Sequence, residues 1–172
     1  MIKIEPFEKI DFDTLISWVD NEEILIRFAG LIFTFPLTHQ QLERYLEDKN
    51  RFAYKVVNLL TQTTVGHGEI YLSNKNVAIL CRIIIGNPSN RGKGLGLQIV
   101  NNLLEISFTR HSADKAELNV FDWNVNAIRC YEKAGFIINE RKTKKREVQG
   151  QSWTALNMTI DKIEWERLNQ KG

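Results

Sequence analysis

The hydrophobic pattern of the chain predicts a series of short strands. Each is a run in which apolar and polar residues alternate, or in which β-branched and aromatic residues lie between turn residues. The runs are a first one around Ile2 and Ile4, then 52–57, 65–72, 77–85 and 116–120, a strand start at 136–138, and a last one at about 152–160. Because the three runs between residues 52 and 85 are joined by short polar segments, we expect them to form an antiparallel meander.

Apolar residues spaced three and four positions apart predict helices between these strands. The helical positions are Leu15, Trp18 and Val19; Leu42, Tyr45 and Leu46; Leu97, Val100, Leu104 and Phe108; the stretch 124–134; and Ile163, Trp165 and Leu168. Asp11 or Asp13 is expected to cap the first helix. Thr38 and Gln41 have the capping-box spacing of a second helix that runs to about Asp48, and Gly135 marks a helix end.

The predicted order of elements is β-α-α-β-β-β-α-β-α-β-β followed by a short C-terminal helix. This order is typical of an α/β (α+β) protein with a mixed, mostly antiparallel central sheet flanked by helices. The chain has 172 residues, of which 43% are hydrophobic and 26% charged, as in an ordinary globular protein. We therefore expect residues 1–172 to form a single domain.

The composition of the chain argues against several classes of partner and location. Apolar stretches such as 83–85 are far shorter than the ~20 residues of a membrane helix, and the N-terminus lacks the apolar core of a secretory signal. Cys81 and Cys130 form no CxxC motif, which suits a reducing, cytoplasmic location. The three histidines lie far apart, so we expect no metal site. A formal net charge of +2 does not indicate a nucleic-acid partner.

A glycine-rich turn separates the predicted strand 77–85 from the helix that follows. It reads Arg91-Gly92-Lys93-Gly94-Leu95-Gly96. Glycine permits unusual φ angles and lets backbone N–H groups approach a phosphate, and the positive end of the helix dipole adds to this attraction. The spacing fits neither a Walker loop nor a G-x-G-x-x-G dinucleotide motif. We expect a bound diphosphate of another kind, and the alternative is a tight connection without a ligand.

Two segments resemble one known family. Arg91-x-x-Gly94-x-Gly96 resembles the Q/R-x-x-G-x-G/A signature of the GCN5-related N-acetyltransferase (GNAT) superfamily, and residues 124–136 resemble its N-x-x-A-x-x-x-Y-E-K-x-G-F segment. The similarity is greatest to the branch of spermidine and ribosomal-protein N-terminal acetyltransferases. The resemblance implies a GNAT-like domain that transfers an acetyl group from acetyl-coenzyme A (acetyl-CoA) to a primary amine, by direct attack in a ternary complex.

The resemblance also implies roles for individual residues. Tyr131 would protonate the departing coenzyme A thiolate or hold it by a hydrogen bond. The backbone of one strand would bind the pantetheine arm and direct an N–H at the thioester oxygen, the turn would hold the diphosphate, and an asparagine amide would contact the cofactor. These cofactor-binding residues are Ile83, Ile84, Ile85, Arg91, Gly92, Lys93, Gly94, Leu95, Gly96 and Asn124. Asn124 is also a good helix cap, as is its neighbour Asn126.

The group that removes the proton from the amine is less clearly indicated. An alkylammonium has a pKa near ~10.4, so it must lose a proton before it attacks. Glu69 lies in the predicted strand 65–72, from which acetyltransferases of this type often activate the amine through water. His67 faces the same side two residues earlier, and either residue could instead be a solvated strand position. Gly66 and Gly68 predict that a ligand or a neighbouring strand approaches this backbone closely.

The acceptor is expected to be a small-molecule amine or a peptide N-terminus. Residues 18–46 and the last hairpin would form its pocket, and Asp20, Glu22 and Glu23 could attract a cation. The basic segment 141–146 would repel a polyamine if it lined the pocket. It could instead be a solvated edge strand or face ribosomal RNA. A non-catalytic acyl-CoA-binding module is the alternative function. We expect no membrane partner, and edge strands would allow a homodimer.

Overall fold

The structure, a computed structural model, describes residues 1–73, 76–148 and 150–170. The strands are β1 Ile2–Pro6, β2 Arg51–Asn58, β3 Thr64–Ser73, β4 Val77–Ile85, β5 Lys115–Phe121, β6 Ile137–Ile138, β7 Lys144–Val148 and β8 Gln151–Asp161. The α-helices are α1 Phe12–Trp18, α2 Glu22–Ala29, α3 His39–Leu46, α4 Leu95–Glu105, α5 Val125–Lys133 and α6 Lys162–Asn169.

The strands form a mixed sheet in the order β1-β2-β3-β4-β5-β8-β6, and β7 pairs with β8 outside this path. β2 pairs antiparallel with β1 and with β3, while β4 and β5 are parallel. β8 runs antiparallel to β5, β6 and β7. The predicted fold class, a mixed and mostly antiparallel sheet flanked by helices, is confirmed.

The chain divides into two compact units. The first unit comprises residues 1–71 and 81–99, and the second comprises 72–80 and 100–172. The boundary passes through β3, β4 and α4, so each of these three elements contributes residues to both units.

The core of the first unit lies beneath its helices. The apolar faces of α1, α2 and α3 bury Leu15, Leu25 and Leu42 almost completely. Full burial of one such side chain contributes about 1.5–3 kcal/mol. α3 begins where the sequence predicted, because the Thr38 side chain accepts a hydrogen bond from the Gln41 backbone N–H at 3.4 Å.

The core of the second unit lies along β5 and β8. Leu118 on β5, Met158 on β8 and Phe108 after α4 are at most 1% exposed. Gly135 ends α5 with a φ of 96°, and a Cβ on it would come within 2.6 Å of Leu168. Its predicted place at the helix end is confirmed.

The predicted order of elements lacked α2 and β7. α2 lies in a segment that showed no clear helical period. β7 lies in the basic segment, for which an edge strand was one of the expected alternatives. In addition, the helix predicted through Phe108 ends as α4 at Glu105 and continues as a π-helical turn over 106–110. None of the helices in the described ranges is long and apolar enough to cross a membrane.

Candidate functional site

β4 is kinked at Arg82, in the middle of the sheet. Arg82 has a φ of 50°, and it is the one non-glycine residue in a described strand or helix with a positive φ. Such a conformation costs about 1–3 kcal/mol and persists only where the surroundings hold it. The side chains of Cys81 and Arg82 both reach Glu69, whereas neighbours in a regular strand point to opposite faces. These two features are those of a β-bulge.

Glu69 lies at the centre of a buried polar cluster in the first unit. Its side chain is 0% exposed, on the face of β3 that is turned towards α3. Arg82 donates from Nε and Nη2 to the two carboxylate oxygens, and the Tyr45 hydroxyl donates to one of them. Arg51 Nη1 donates to Oε1 at 2.6 Å. The carboxylate thus accepts hydrogen bonds from residues of α3, β2 and β4.

The charges of this cluster favour an ionised Glu69. Burial alone would raise its pKa, but the hydrogen bond and charge of Arg82, together with Tyr45 and Arg51, outweigh burial and hold the pKa of Glu69 below its ordinary value. Burial, with the Glu69 charge beside it, raises the pKa of Tyr45 well above its usual range. At neutral pH Glu69 is therefore a carboxylate that already has several donors.

His67 lies on the same face of β3 as Glu69, as predicted, but it is not solvated. It is 1% exposed, and burial lowers the pKa of its imidazole to about 4. Because the ring is neutral and a carbonyl oxygen only accepts, His67 Nδ1 carries the proton and donates to the Arg82 carbonyl at 2.8 Å. Phe7 and Phe28 pack edge-on against the ring, at centroid distances of 4.8 and 5.6 Å.

The end of β4 meets the backbone of β3 closely. The Gly86 N–H donates to the Val65 carbonyl at 3.0 Å, and a Cβ on Gly66 would lie 2.8 Å from the Ile84 carbonyl oxygen. The close approach predicted at Gly66 is therefore made by a neighbouring strand. Ile84 packs on the core of the first unit. Arg91 Nη2, at the start of the turn, donates to the Ile85 carbonyl at 3.3 Å.

The glycine-rich turn has the backbone conformation that an anion site needs. Gly92 and Gly94 have φ angles of 74° and 77°, and a Cβ on either would find open space within 4 Å. α4 begins directly after them, and the Gln98 N–H already bonds to the Gly94 carbonyl. The N–H groups of the first turn of α4 lie ahead of this bond and have no helical acceptor. Arg91 and Lys93 are exposed beside them.

Tyr131 and Asn124 belong to the second unit. Tyr131 is half-buried near the end of α5, where its ring meets that of Phe136 edge-on at 6.2 Å. Asn124 is the N-cap of α5, and its Oδ1 accepts from the Ala127 N–H at 3.4 Å. The alternative that Asn126 caps this helix is wrong, because the helix starts at Val125.

The structure brings some of the predicted residues together. Glu69 and His67 contact β4 immediately ahead of Ile83, and Arg91 contacts the end of the same strand. Arg82, Arg51 and Tyr45 were not predicted from the sequence as members of this cluster. Arg82 carried a signal, since it interrupts an apolar run, and a charged residue inside a buried strand needs a partner.

Comparison with known proteins identifies the family. The model of the acetyltransferase (GNAT) family matches residues 14–136, which include β3, β4, the turn and α5. The chain belongs to the GNAT family. Both motifs on which the resemblance rested lie inside the matched region.

Curated relatives match a shorter region. An aminoglycoside N(6′)-acetyltransferase type 1 from Klebsiella pneumoniae is 43% identical over 53 residues, which are 31% of this chain and 26% of that protein. The chain thus spans about a quarter of the length of this relative.

Solved GNAT structures share the whole fold. A spermidine N-acetyltransferase from Vibrio cholerae, in complex with CoA and spermine, superimposes with a TM-score of 0.81 at 21% identity and covers 96% of this chain and 98% of that one. An aminoglycoside acetyltransferase in complex with coenzyme A gives a TM-score of 0.77 at 22% identity, with 98% and 99% covered. At this level of identity the similarity concerns the fold.

Proposed function

We propose that this chain transfers the acetyl group of acetyl-CoA to a primary amine of a small molecule. The observation that carries the proposal is the turn between β4 and α4. There the family signature coincides with two glycines at positive φ, open space beside them and the N–H groups of a helix start, which have no acceptor within the helix. Such a turn suits the diphosphate of coenzyme A.

The residues around the turn fit this co-substrate. Arg91 through Gly96 would hold the diphosphate, mostly by backbone N–H groups, with the exposed cations Arg91 and Lys93 adding charge. The backbone of Ile83, Ile84 and Ile85 would pair with the pantetheine arm, and Asn124 would contact the cofactor through its amide. Acetyl-CoA supplies the activated acyl carbon as a thioester.

The reaction is a direct transfer in a ternary complex. The amine nitrogen attacks the thioester carbon, the new C–N bond forms as the C–S bond breaks, and no covalent bond to the protein is made. A backbone N–H from the strand 83–85 stabilises the negative charge that develops on the carbonyl oxygen. Tyr131 donates a proton to the departing thiolate.

Removal of the proton from the amine by Glu69, directly or through water, stays a prediction. Glu69 already accepts from Tyr45, Arg51 and Arg82, so it would have to give up one of these bonds to take a proton. His67 is a weak base because burial lowers its pKa to about 4. Both observations leave water as an alternative proton acceptor.

The acceptor is proposed to be cationic. Asp20, Glu22 and Glu23 are exposed around the N-terminus of α2. Trp18, just before them, packs on the residue that follows β4, since a Cβ on Gly86 would lie 2.1 Å from the Trp18 ring. Acidic residues near this strand suit a polyamine or an aminoglycoside better than an uncharged amine.

We further propose that residues 1–172 act as one N-acetyltransferase domain with a cytoplasmic location. Cys81 and Cys130 are not joined in a disulfide, and this supports the location, because thiols persist in reducing compartments. A peptide N-terminus as acceptor and a homodimer both stay predictions.

The proposal is tested by thiol release from acetyl-CoA with spermidine, an aminoglycoside and a short peptide as acceptors. We expect turnover with at least one of the small amines. Tyr131→Phe should lower kcat by about 100-fold or more, because a general acid contributes that much, while the Kd for CoA changes little. Tyr54→Phe is the matched control, since it removes a hydroxyl from β2, outside the proposed machinery.

Two outcomes would contradict the proposal. If no amine is acetylated although CoA binds tightly, the chain is an acyl-CoA-binding module. If Tyr131→Phe turns over as fast as Tyr54→Phe, the assignment of the proton donor is wrong.

A further inference from the structure

Two side chains of β3 bind the residue at which β4 is kinked. Glu69 binds the side chain of Arg82, and His67 binds its carbonyl group. We propose that His67 and Glu69 are positioning residues that lock the bulge at Arg82 and thereby aim the backbone N–H groups of the strand 83–85 at the thioester oxygen. This inference rests on the proposed function.

Glu69 fixes the side-chain end of the bulge. Arg82 places two nitrogens on the two oxygens of the carboxylate, which sets the plane of the guanidinium as well as its distance. The Arg82 side chain is 10% exposed and the Glu69 side chain 0%, so water does not compete for this contact. Cys81 adds a third contact, since its thiol donates to Glu69 Oε1 at 3.4 Å.

His67 fixes the backbone end of the bulge. Its Nδ1–H bonds to the Arg82 carbonyl at 2.8 Å, and this carbonyl belongs to the peptide unit whose N–H is that of Ile83. A peptide unit is planar, so holding its oxygen also sets the direction of its N–H. The edge-on rings of Phe7 and Phe28 leave the imidazole one orientation. Its Nε2 is buried and has no hydrogen-bond partner within the described ranges, so Nδ1 makes the one polar contact of the ring there.

The positive φ of Arg82 explains why a lock is needed. Left to itself, an arginine in a strand relaxes to an extended conformation, and the plane of the peptide unit of Arg82 and Ile83 turns with it. Misdirection of a group by about 1 Å is enough to cost about 100-fold in rate. The lock therefore acts on the orientation of the strand 83–85, while the turn at Gly92 and Gly94 still provides affinity for the diphosphate.

The matched pair His67→Asn and His67→Leu tests the proposal. The two new side chains have the same branching, but the asparagine amide can place an N–H where Nδ1 lies and leucine cannot. We expect His67→Leu to lower kcat by about 100-fold with little change in the Kd for CoA. The kcat of His67→Asn should be at least about tenfold higher than that of His67→Leu. Thermal unfolding of both variants shows that they are folded.

A spectroscopic readout follows the thioester itself. In isotope-edited infrared spectra, a hydrogen bond from the strand shifts the carbonyl stretch of bound acetyl-CoA to lower frequency. The shift should be lost in His67→Leu and kept in His67→Asn. If His67→Leu does not fold, His67→Gln takes its place, because its amide reaches the position of Nε2 instead of Nδ1.

The outcomes separate the two proposals. Equal kcat values and equal carbonyl shifts in parent and His67→Leu overturn the lock, as does an equal loss in the asparagine and leucine variants. If the parent acetylates no amine, the proposed function fails, and the carbonyl shift of bound acetyl-CoA still decides whether His67 orients the strand. If acetyl-CoA does not bind the parent, both proposals are wrong.

Discussion

At the scale of single residues, the backbone conformation of a few positions carries most of the chemistry. Gly92 and Gly94 adopt positive φ in open space, where a glycine is needed for the turn and not for packing. Arg82 adopts positive φ inside a strand, where a glycine would be expected, and it is held there by Glu69 and His67. The turn could be identified from the sequence, because glycine spacing is visible in it. The kink could not, since nothing in the identity of an arginine indicates its φ.

Replacement of Gly94 by alanine should separate backbone strain from cofactor binding. Gly150 has a φ of 76°, against 77° for Gly94, and a Cβ on either would meet no atom within 4 Å. Gly94→Ala and Gly150→Ala should therefore each lower the free energy of unfolding by a similar amount, about 1–2 kcal/mol. Only Gly94→Ala should raise the Kd for CoA, by about tenfold, the equivalent of one hydrogen bond to a charged group.

Urea unfolding and calorimetric titration with CoA measure the two quantities. The role of the turn is refuted if both variants bind CoA as tightly as the parent. A loss of affinity in Gly150→Ala alone would point to a site elsewhere on the chain.

The buried imidazole of His67 predicts how stability depends on pH. Its pKa lies at about 4 in the folded protein and at its ordinary value of 6.5 in the unfolded chain. Between these values the unfolded chain takes up a proton that the folded protein does not. The free energy of unfolding should therefore fall by about 3 kcal/mol as the pH drops from about 6.5 to about 4. Glu69, whose pKa is lowered, adds a further loss only below its ordinary value of 4.5.

Comparison with His67→Asn isolates this effect, because the variant lacks the titrating ring. The parent is expected to be the more stable protein at pH 7, and its advantage should shrink by about 3 kcal/mol at pH 4. Urea unfolding of both proteins at pH 7, 5.5 and 4 measures the advantage. A constant difference across this range would show that His67 titrates alike in the folded and unfolded states.

At the scale of elements, the sequence predicted the helices and strands in which apolar residues recur at regular spacing. α3 carries a regular apolar stripe and a threonine cap, and it begins where expected. β7 has no apolar alternation, and it forms because β8 offers an edge with which Lys144 pairs opposite Ala155. α2 buries Leu25, Ile26 and Phe28 with the adjacent Ala29, too dense a run to show a helical period. Such elements depend on their neighbours, which no local pattern describes.

The N-cap of α5, Asn124, has two proposed roles that one experiment can separate. Asn124 caps the helix through Oδ1, and its amide nitrogen is the group proposed to contact the cofactor. Asn124→Asp keeps a capping oxygen, so stability should stay near that of the parent, whereas Asn124→Ala should lose about 1 kcal/mol. If the amide binds the cofactor, both variants should bind CoA more weakly.

Thermal unfolding and CoA titration of the two variants measure the cap and the contact separately. Unchanged affinity in Asn124→Asp would leave Asn124 as a helix cap alone.

At the scale of the whole molecule, the order of strands and helices along the chain followed from the sequence apart from α2 and β7, while the order of strands in the sheet did not. The chain places β8 between β5 and β6, and it divides β3, β4 and α4 between two compact units. Both motifs lie within the region 14–136 that matches the family. They could be identified from the sequence because each is a continuous stretch of chain. No continuous motif marks the acceptor pocket. From the sequence it could be described only by its aromatic and acidic residues.

The sequence by itself determined the glycine-rich turn, the Thr38 cap of α3 and the family, because each depends on residues that are neighbours along the chain. Only the tertiary structure decided the surroundings of Glu69. Its partners Tyr45, Arg51 and Arg82 come from three different elements, and they meet because a buried carboxylate is stable only when charged donors replace the lost water. The same burial makes His67, one of the candidate bases, neutral, and its Nδ1–H donates to a backbone carbonyl.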